Sequence, residues 1–250
     1  MPARDNWVMA EADARFYFDP VCPFAWMTSK WVRVVQQQRG YRVDWRFISL
    51  RMVNADVDYD THFPAGYIAG HTAGLRLLRV AAAARAQAGP DAVGRFYAAA
   101  GGRIFDSPPD PARQGSDGGY RGTPEFVAAI LADAGLPADL VGALDDESFD
   151  LVIQRETDEA LALTGKDVGT PIIQFQPPDG MAFFGPVISR LPAPDDAVRL
   201  WDHVVGLVTF PGFAELKRSL RERPQLRAFG VEPDQAGAQE DWQAGHRRMD

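Results

Sequence analysis

Apolar and polar positions divide the chain into three stretches with different periods. The first holds Arg15-Phe16-Tyr17-Phe18-Asp19, short and aromatic and stopped by Pro20, the pattern of a buried strand. After Cys22, Pro23 suits the first turn of a helix, where its missing N–H would have no partner anyway. Met27, Trp31, Val34 and Val35 then recur at helical spacing until Gly40. Tyr41–Leu50 alternates, with Val43, Trp45, Phe47 and Ile48, and predicts a second strand. The connection is long enough for a parallel pair, so the chain opens β-α-β.

From about His62 the period becomes helical. Tyr67–Ala88 is rich in alanine and leucine, and Arg95–Phe105 predicts another helix. Ser107–Gly122, dense in Pro, Gly and Asp, reads as a loop. Thr123-Pro124-Glu125 is a helix start with a cap, a proline at the first position and an acid in the first turn. Ser148 offers a cap for a further helix ending at Gly165. The strand pattern then returns: Gly169-Thr170-Pro171 leads into Ile172–Phe175, a turn at Pro177–Gly180 and Met181–Gly185, a β-hairpin. Asp195–Val208 predicts a last core helix with Val198, Trp201, Val205 and Val208 on one side. The expected fold class is α/β: a mixed central sheet with flanking helices, built from residues 14–61 and 166–220, and an inserted all-helical domain at 62–165. Residues 221–250, polar and mixed in charge, are expected to be a loosely held tail.

Composition narrows the function classes. The 250 residues carry a net charge of −8, which repels phosphate backbones and argues against nucleic-acid binding. No segment approaches the roughly 18 apolar residues of a membrane span, and Met1–Asp13 has no signal-peptide run, so a cytoplasmic location is expected. The single cysteine rules out an intrachain disulfide and a thiolate zinc site, and the four histidines lack metal-ligand spacing. Gly165-Lys166 is followed by Asp167 and has no glycine-rich lead, so it is not a P-loop. No GxGxxG follows a strand, which leaves a Rossmann cofactor unsupported.

The chemistry concentrates at Cys22. It lies after a buried strand and before a helix, where backbone N–H groups leave partial positive charge that lowers a thiol pKa. A free cysteine is also often a small buried hydrophobe. Asp19 reads either as a proton relay or as a cap for the turn before Pro20. Phe24 and Trp26 read either as walls of a hydrophobic pocket or as core aromatics. His62 and His71 could reach the cleft as acid or base, with Tyr67 and Arg76 weaker candidates of the same kind.

Phe18-Asp19-Pro20-Val21-Cys22-Pro23-Phe24-Ala25-Trp26 resembles the active-site segment of the DsbA-like thioredoxin superfamily, and more narrowly the actinobacterial mycothiol-dependent nitroreductase group. Val168-Gly169-Thr170-Pro171 resembles that superfamily's cis-proline loop. Phe183–Arg190 and Phe213–Arg218 are similar to the same group, so the resemblance spans about residues 15 to 220. It implies a thioredoxin-like core with an inserted helical domain. It implies a catalytic Cys22, a cis Pro171 lying against it, and substrate or thiol binding by Pro23, Phe24, Ala25, Trp26, Thr170 and Pro171. Redox-active members carry Cys-Pro-x-Cys, whereas this chain has Ala25 and no resolving thiol.

Three functions remain open on the sequence. A thiol-dependent oxidoreductase or transferase would need an external thiol, mycothiol or glutathione, as co-substrate, with no tightly bound cofactor. A cis-trans isomerase would add Cys22 reversibly to a conjugated double bond, which needs one nucleophile only. A substrate-binding protein without turnover would also tolerate the loss of the second cysteine. In each case the expected partner is a small molecule, hydrophobic or carrier-bound, and an exposed apolar helix in the inserted block would permit a homodimer.

Overall fold

The computed structural model describes residues 12–113, 116–165, 168–216, 220–222, 224–232 and 239–241. Strand β1 (Ala14–Phe18) is followed by helix α1 (Pro23–Arg39), strand β2 (Val43–Phe47) and two short helices, α2 (Leu50–Val53) and α3 (Tyr59–His62). A helical block follows: α4 (Tyr67–Ala88), α5 (Asp91–Gly101), α6 (Pro124–Ala134) and α7 (Asp150–Thr164). The chain returns to the sheet with β3 (Ile172–Phe175) and β4 (Ala182–Phe184), then forms α8 (Pro194–Val208). A small second sheet pairs β5 (Leu220–Glu222) with β6 (Gln239–Asp241).

The main sheet runs β2-β1-β3-β4. β1 and β2 are parallel, β3 is antiparallel to β1, and β4 is antiparallel to β3. Only β3 therefore opposes the rest, and with helices on both faces this is the thioredoxin-like α/β arrangement. β1 is central, which explains its unbroken aromatic run: both of its faces are buried. Phe16 lies opposite Trp45 and Ile173 and faces the main core with Phe18. Tyr17, opposite Ile172, packs on the other face with Ile48 and Ala160 of α7.

Helices α1 and α8 cover one face. The Trp31 indole N–H donates to the Ala197 carbonyl at 2.8 Å, and Trp201 packs 5.4 Å from Trp31 and 5.2 Å from Phe175, centroid to centroid. On the α7 side, Glu156 is 1% exposed, and a buried carboxylate needs compensation. It accepts from the Phe47 amide at 3.0 Å and pairs with Arg46 at 3.2 Å and Arg85 at 2.8 Å. One apolar cluster runs without a break from Phe16 and Trp31 to Phe96 and Leu131 of the helical block.

Several expectations change in detail. Ser148 does not cap α7, whose N-cap is Phe149 with no side-chain bond; Asp146 instead caps the short 3-10 turn Glu147–Phe149 that leads into α7, its carboxylate accepting from the Ser148 amide at 3.0 Å. Helix α5 starts at Asp91, ahead of the expected Arg95, and ends in a π-turn at Gly102–Asp106. Ala197 takes the buried place in α8 expected for Val198, because the stripe is set by contact with Trp31. The segment read as a loose tail is anchored in part. Leu226 is 1% exposed, the Gln225 amide donates to the Ser189 carbonyl at 2.6 Å, and Phe229 meets Phe105 at 6.4 Å. The polar average of residues 221–250 hides these few apolar anchors. Lys217 and Arg218 of the last family-like segment lie outside the described residues, as do Lys166 and Asp167.

Candidate active site

The site is made by the turn that carries β1 into α1. Asp19 shapes it: its side chain accepts from the Val21 amide at 3.0 Å and its carbonyl from the Cys22 amide at 3.1 Å. Such an Asx turn lets a strand reverse within three residues. The second carboxylate oxygen accepts from the Leu50 amide at 2.8 Å, tying the start of α2 to the same turn. Cys22 is then the N-cap of α1, in extended conformation, and its carbonyl receives the first helical bond from Trp26 at 3.0 Å. Pro23 follows at the first helical position, half-buried.

The Thr170–Pro171 peptide bond is cis, and Pro177–Pro178 and Gly185–Pro186 are cis as well. The loop before β3 brings Thr170 onto the sulfur: Cys22 Sγ donates to the Thr170 carbonyl at 3.3 Å. Thr170 is itself held by its hydroxyl, which donates to the Tyr17 carbonyl at 3.1 Å. From the other side the Ala25 amide donates to Sγ at 3.4 Å. The sulfur thus sits between a helix start and the proline loop, 148 residues away in sequence.

Its ionisation differs from the sequence expectation. Burial pushes the Cys22 thiol up to about 12, against the opposing pull of the Ala25 and Phe24 amides; the neighbouring Asp19 charge raises it further. Cys22 is only 7% exposed, so removing the thiolate from water outweighs two N–H dipoles. The resting sulfur is a protonated thiol, consistent with its donating to a carbonyl.

Asp19 is fully buried and makes no hydrogen bond to Sγ among the described residues; its two oxygens serve the Val21 and Leu50 amides. Burial raises its carboxyl from 3.8 to about 7, the two amides opposing. The folded state holds this proton better than the unfolded chain does. The associated stability is complete below pH ~4 and is lost as pH rises through ~7, at most about 4 kcal/mol in all. Asp19→Asn is expected to remove that slope. Urea unfolding of both proteins at about pH 5 and about pH 8 measures it, and an unchanged difference between them would contradict the burial effect.

The remaining expected residues fall into different places. Ala25 is fully buried under the sulfur, and Phe24 is half-buried beside it. Trp26 is 4% exposed and is no pocket wall. Its indole N–H donates to Asp106 at 3.2 Å and its ring packs on Gly101, because α5 and the π-turn close over it. His62 is exposed and its Nδ1 stays within its own turn, 3.0 Å from the Thr61 hydroxyl and 3.1 Å from the Asp58 carbonyl. His71 is buried, with Nδ1 2.9 Å from the Tyr59 hydroxyl, and burial lowers it to about 4, so it is neutral. Tyr67 is exposed, and Arg76 pairs with Asp145 at 2.7 Å.

Three contributors escaped the sequence reading. Gly74 lies against the turn: a Cβ there would fall 2.7 Å from Asp19 Oδ1 and 2.9 Å from Val21 Cγ2. A glycine inside a strongly helical run was the available signal. Thr28 donates to the Pro186 carbonyl at 2.9 Å, linking α1 to the segment after β4. Tyr59 joins His71 from a helix of four residues, too short to show a period. Among the described residues, no group of three or more His, Cys, Asp and Glu is placed to hold a metal ion.

Residues 21–218 match the family described as Rv2466c-like, mycothiol-dependent nitroreductase Rv2466c. The protein Rv2286c of Mycobacterium tuberculosis is 31% identical over 204 residues, 81% of this chain and 80% of its own. Reduced DsbA of Mycobacterium tuberculosis is 16% identical, with a TM-score of 0.45 over 83% of this chain and 89% of that one. The reduced disulfide-bond oxidoreductase DsbG of the same organism is 17% identical, with a TM-score of 0.39 over 83% and 85%. With its pattern matched from the active-site turn to beyond α8, this chain belongs to the Rv2466c-like family of mycothiol-dependent nitroreductases.

Proposed function

We propose that the protein is a thiol-dependent oxidoreductase or thiol transferase in which Cys22 is the only nucleophile and a low-molecular-weight thiol completes the cycle. The observation that carries this reading is the Cys22 sulfur held 3.3 Å from the Thr170 carbonyl at the start of α1, with alanine at position 25. In the reaction, Cys22 loses its proton to solvent and attacks one sulfur of a disulfide. One S–S bond forms and one breaks, and the leaving thiolate takes up a proton. The second exchange is the reverse in kind: an external thiolate attacks the mixed disulfide and frees Cys22. These two exchanges alone transfer a thiol group without net oxidation; when a second external thiol reduces the released mixed disulfide, two external thiols supply the two electrons per substrate disulfide and leave as their own disulfide, and none come from the protein. Mycothiol, named in the family's description, is the first thiol to assay, and nitro-substituted aromatics are the first electrophiles. The cycle requires a compartment that keeps such thiols reduced, and a cytoplasmic site of action is part of the proposal. No described helix is long and apolar enough to cross a membrane.

Thr170 and the half-buried Phe24 are placed to meet the substrate beside the sulfur. Among the described residues the Thr170 amide has no backbone partner, which leaves it free to pair with an extended ligand. Ala25 gives the test. In the wild type a mixed disulfide at Cys22 is expected to persist until external thiol is added. Ala25→Cys puts a second thiol one helical turn on, at a Cα separation of about 5 Å that a disulfide can span. This variant is expected to release the bound thiol unaided and form an internal disulfide, read by mass spectrometry of the intact protein. Persistence of the adduct in the variant would contradict the proposed exchange at Cys22.

The missing second cysteine also favours a different reading, cis-trans isomerisation by reversible addition of Cys22 to a conjugated double bond. That chemistry consumes no thiol and changes no oxidation state. Product analysis with the external thiol counted by itself, apart from any thiol the substrate releases, separates the two.

A further inference from the structure

Arg51 lies beside the Cys22 turn without an acid to balance it. Arg15, Arg46 and Arg85, half-buried like Arg51, are each paired with a carboxylate. Among the described residues Arg51 has none. Its guanidinium instead lies over the Tyr59 ring, 5.5 Å from the centroid. Its nearest polar neighbours are already engaged. Tyr59 is bonded to the neutral imidazole of His71 at 2.9 Å. Asp19, whose charge reaches Tyr59, has both oxygens occupied by the Val21 and Leu50 amides.

The position is fixed by the same hydrogen bonds that place the sulfur. Leu50, which precedes Arg51, is held by the Asp19 side chain, and the Asp19 carbonyl holds Cys22. Around the cation the surface is aromatic. The rings of Tyr59, Phe63 and Tyr67 stand around His71 at 5.6, 5.7 and 5.7 Å, and Tyr67 is 47% exposed. His71 and Gly74 share one face of α4, and Gly74 touches Asp19 and Val21, so this aromatic face leads to the Cys22 turn.

A single guanidinium fork beside flat apolar surface matches a carboxylate on an apolar or aromatic body. A phosphate dianion would call for further donors that this place does not offer. We propose that Arg51 binds a carboxylate of the molecule that Cys22 attacks, so that the substrates are aromatic or apolar acids. This rests on the thiol chemistry proposed above and adds the substrate class to it.

The test compares two aromatic disulfides as probes of Cys22: dithiobis-nitrobenzoate, which carries two carboxylates, and dithiodipyridine, which is neutral. Each rate with the folded protein is divided by the rate of the same probe with a small free thiol. The ratio of the two normalised rates then reads the preference for the acid. Arg51→Gln is expected to lower this ratio about tenfold, the worth of one charge-assisted contact. Arg51→Lys is expected to lower it less, by about threefold, since the charge remains although the fork is lost. An unchanged ratio in Arg51→Gln, or an equal fall in the Gln and Lys variants, would overturn the assignment. A wild-type Cys22 inert to both probes would instead overturn the thiol reading, and the substrate class with it.

Discussion

Cys22→Ser is expected to abolish thiol-dependent turnover, by at least about 1,000-fold, while leaving the fold intact. The two halves of that expectation have different causes. Serine is among the better N-cap residues, and its hydroxyl can both accept from the Ala25 amide and donate to the Thr170 carbonyl, the two contacts that Sγ makes. Stability should therefore stay within about 1 kcal/mol of the wild type in urea unfolding. Chemistry is another matter, because an alcohol can neither exchange with a disulfide nor leave from a carbon adduct. The variant also separates catalysis from mere binding. Full biological activity in Cys22→Ser would establish a substrate-binding role and remove both enzymatic readings at once.

Gly101→Ala is expected to destabilise the protein by about 3 kcal/mol, lowering the melting temperature by roughly 6–12 °C. In an isolated helix the same change would stabilise by about 1 kcal/mol. Here the added methyl falls inside the van der Waals envelope of the Trp26 ring, against its six-membered part. That ring cannot swing aside. It is 4% exposed, its N–H is bonded to Asp106, and its edge meets Tyr97 at 5.6 Å between centroids. Tyr97 in turn stacks on Phe18 at 3.7 Å, so pressure on Trp26 reaches the strand that carries the active-site turn. Gly102→Ala is the control: a Cβ there has nothing within 4 Å. Calorimetry of the two variants should give a clear loss for Gly101→Ala and little change for Gly102→Ala. Equal melting temperatures would show that α5 yields freely and that Trp26 is no strut.

The aromatic strut shows why the sequence could mark Trp26 without assigning it. Position 26 follows the cysteine at helical spacing, and this fits a pocket wall as well as a buried contact. The choice depends on α5, about 75 residues further on, and on a glycine whose importance lies in what it leaves room for. His71 is a similar case. Its place on α4 was legible from the alanine- and leucine-rich period, but its partner Tyr59 lies on a four-residue helix with no period to read. The ends of elements were also poorly legible: caps such as Asp146 are chosen by local geometry among several competent residues.

By itself the sequence determined the order of elements, the strand–Cys–Pro–helix segment and the proline loop, because these rest on local period and backbone chemistry. It equally determined that no second thiol exists. Only the tertiary structure decided that burial pushes the Cys22 thiol up to about 12, so that it rests protonated. Local sequence supplies the helix dipole, which favours a thiolate, but burial is a property of everything packed around the sulfur, and desolvation is the larger of the two effects.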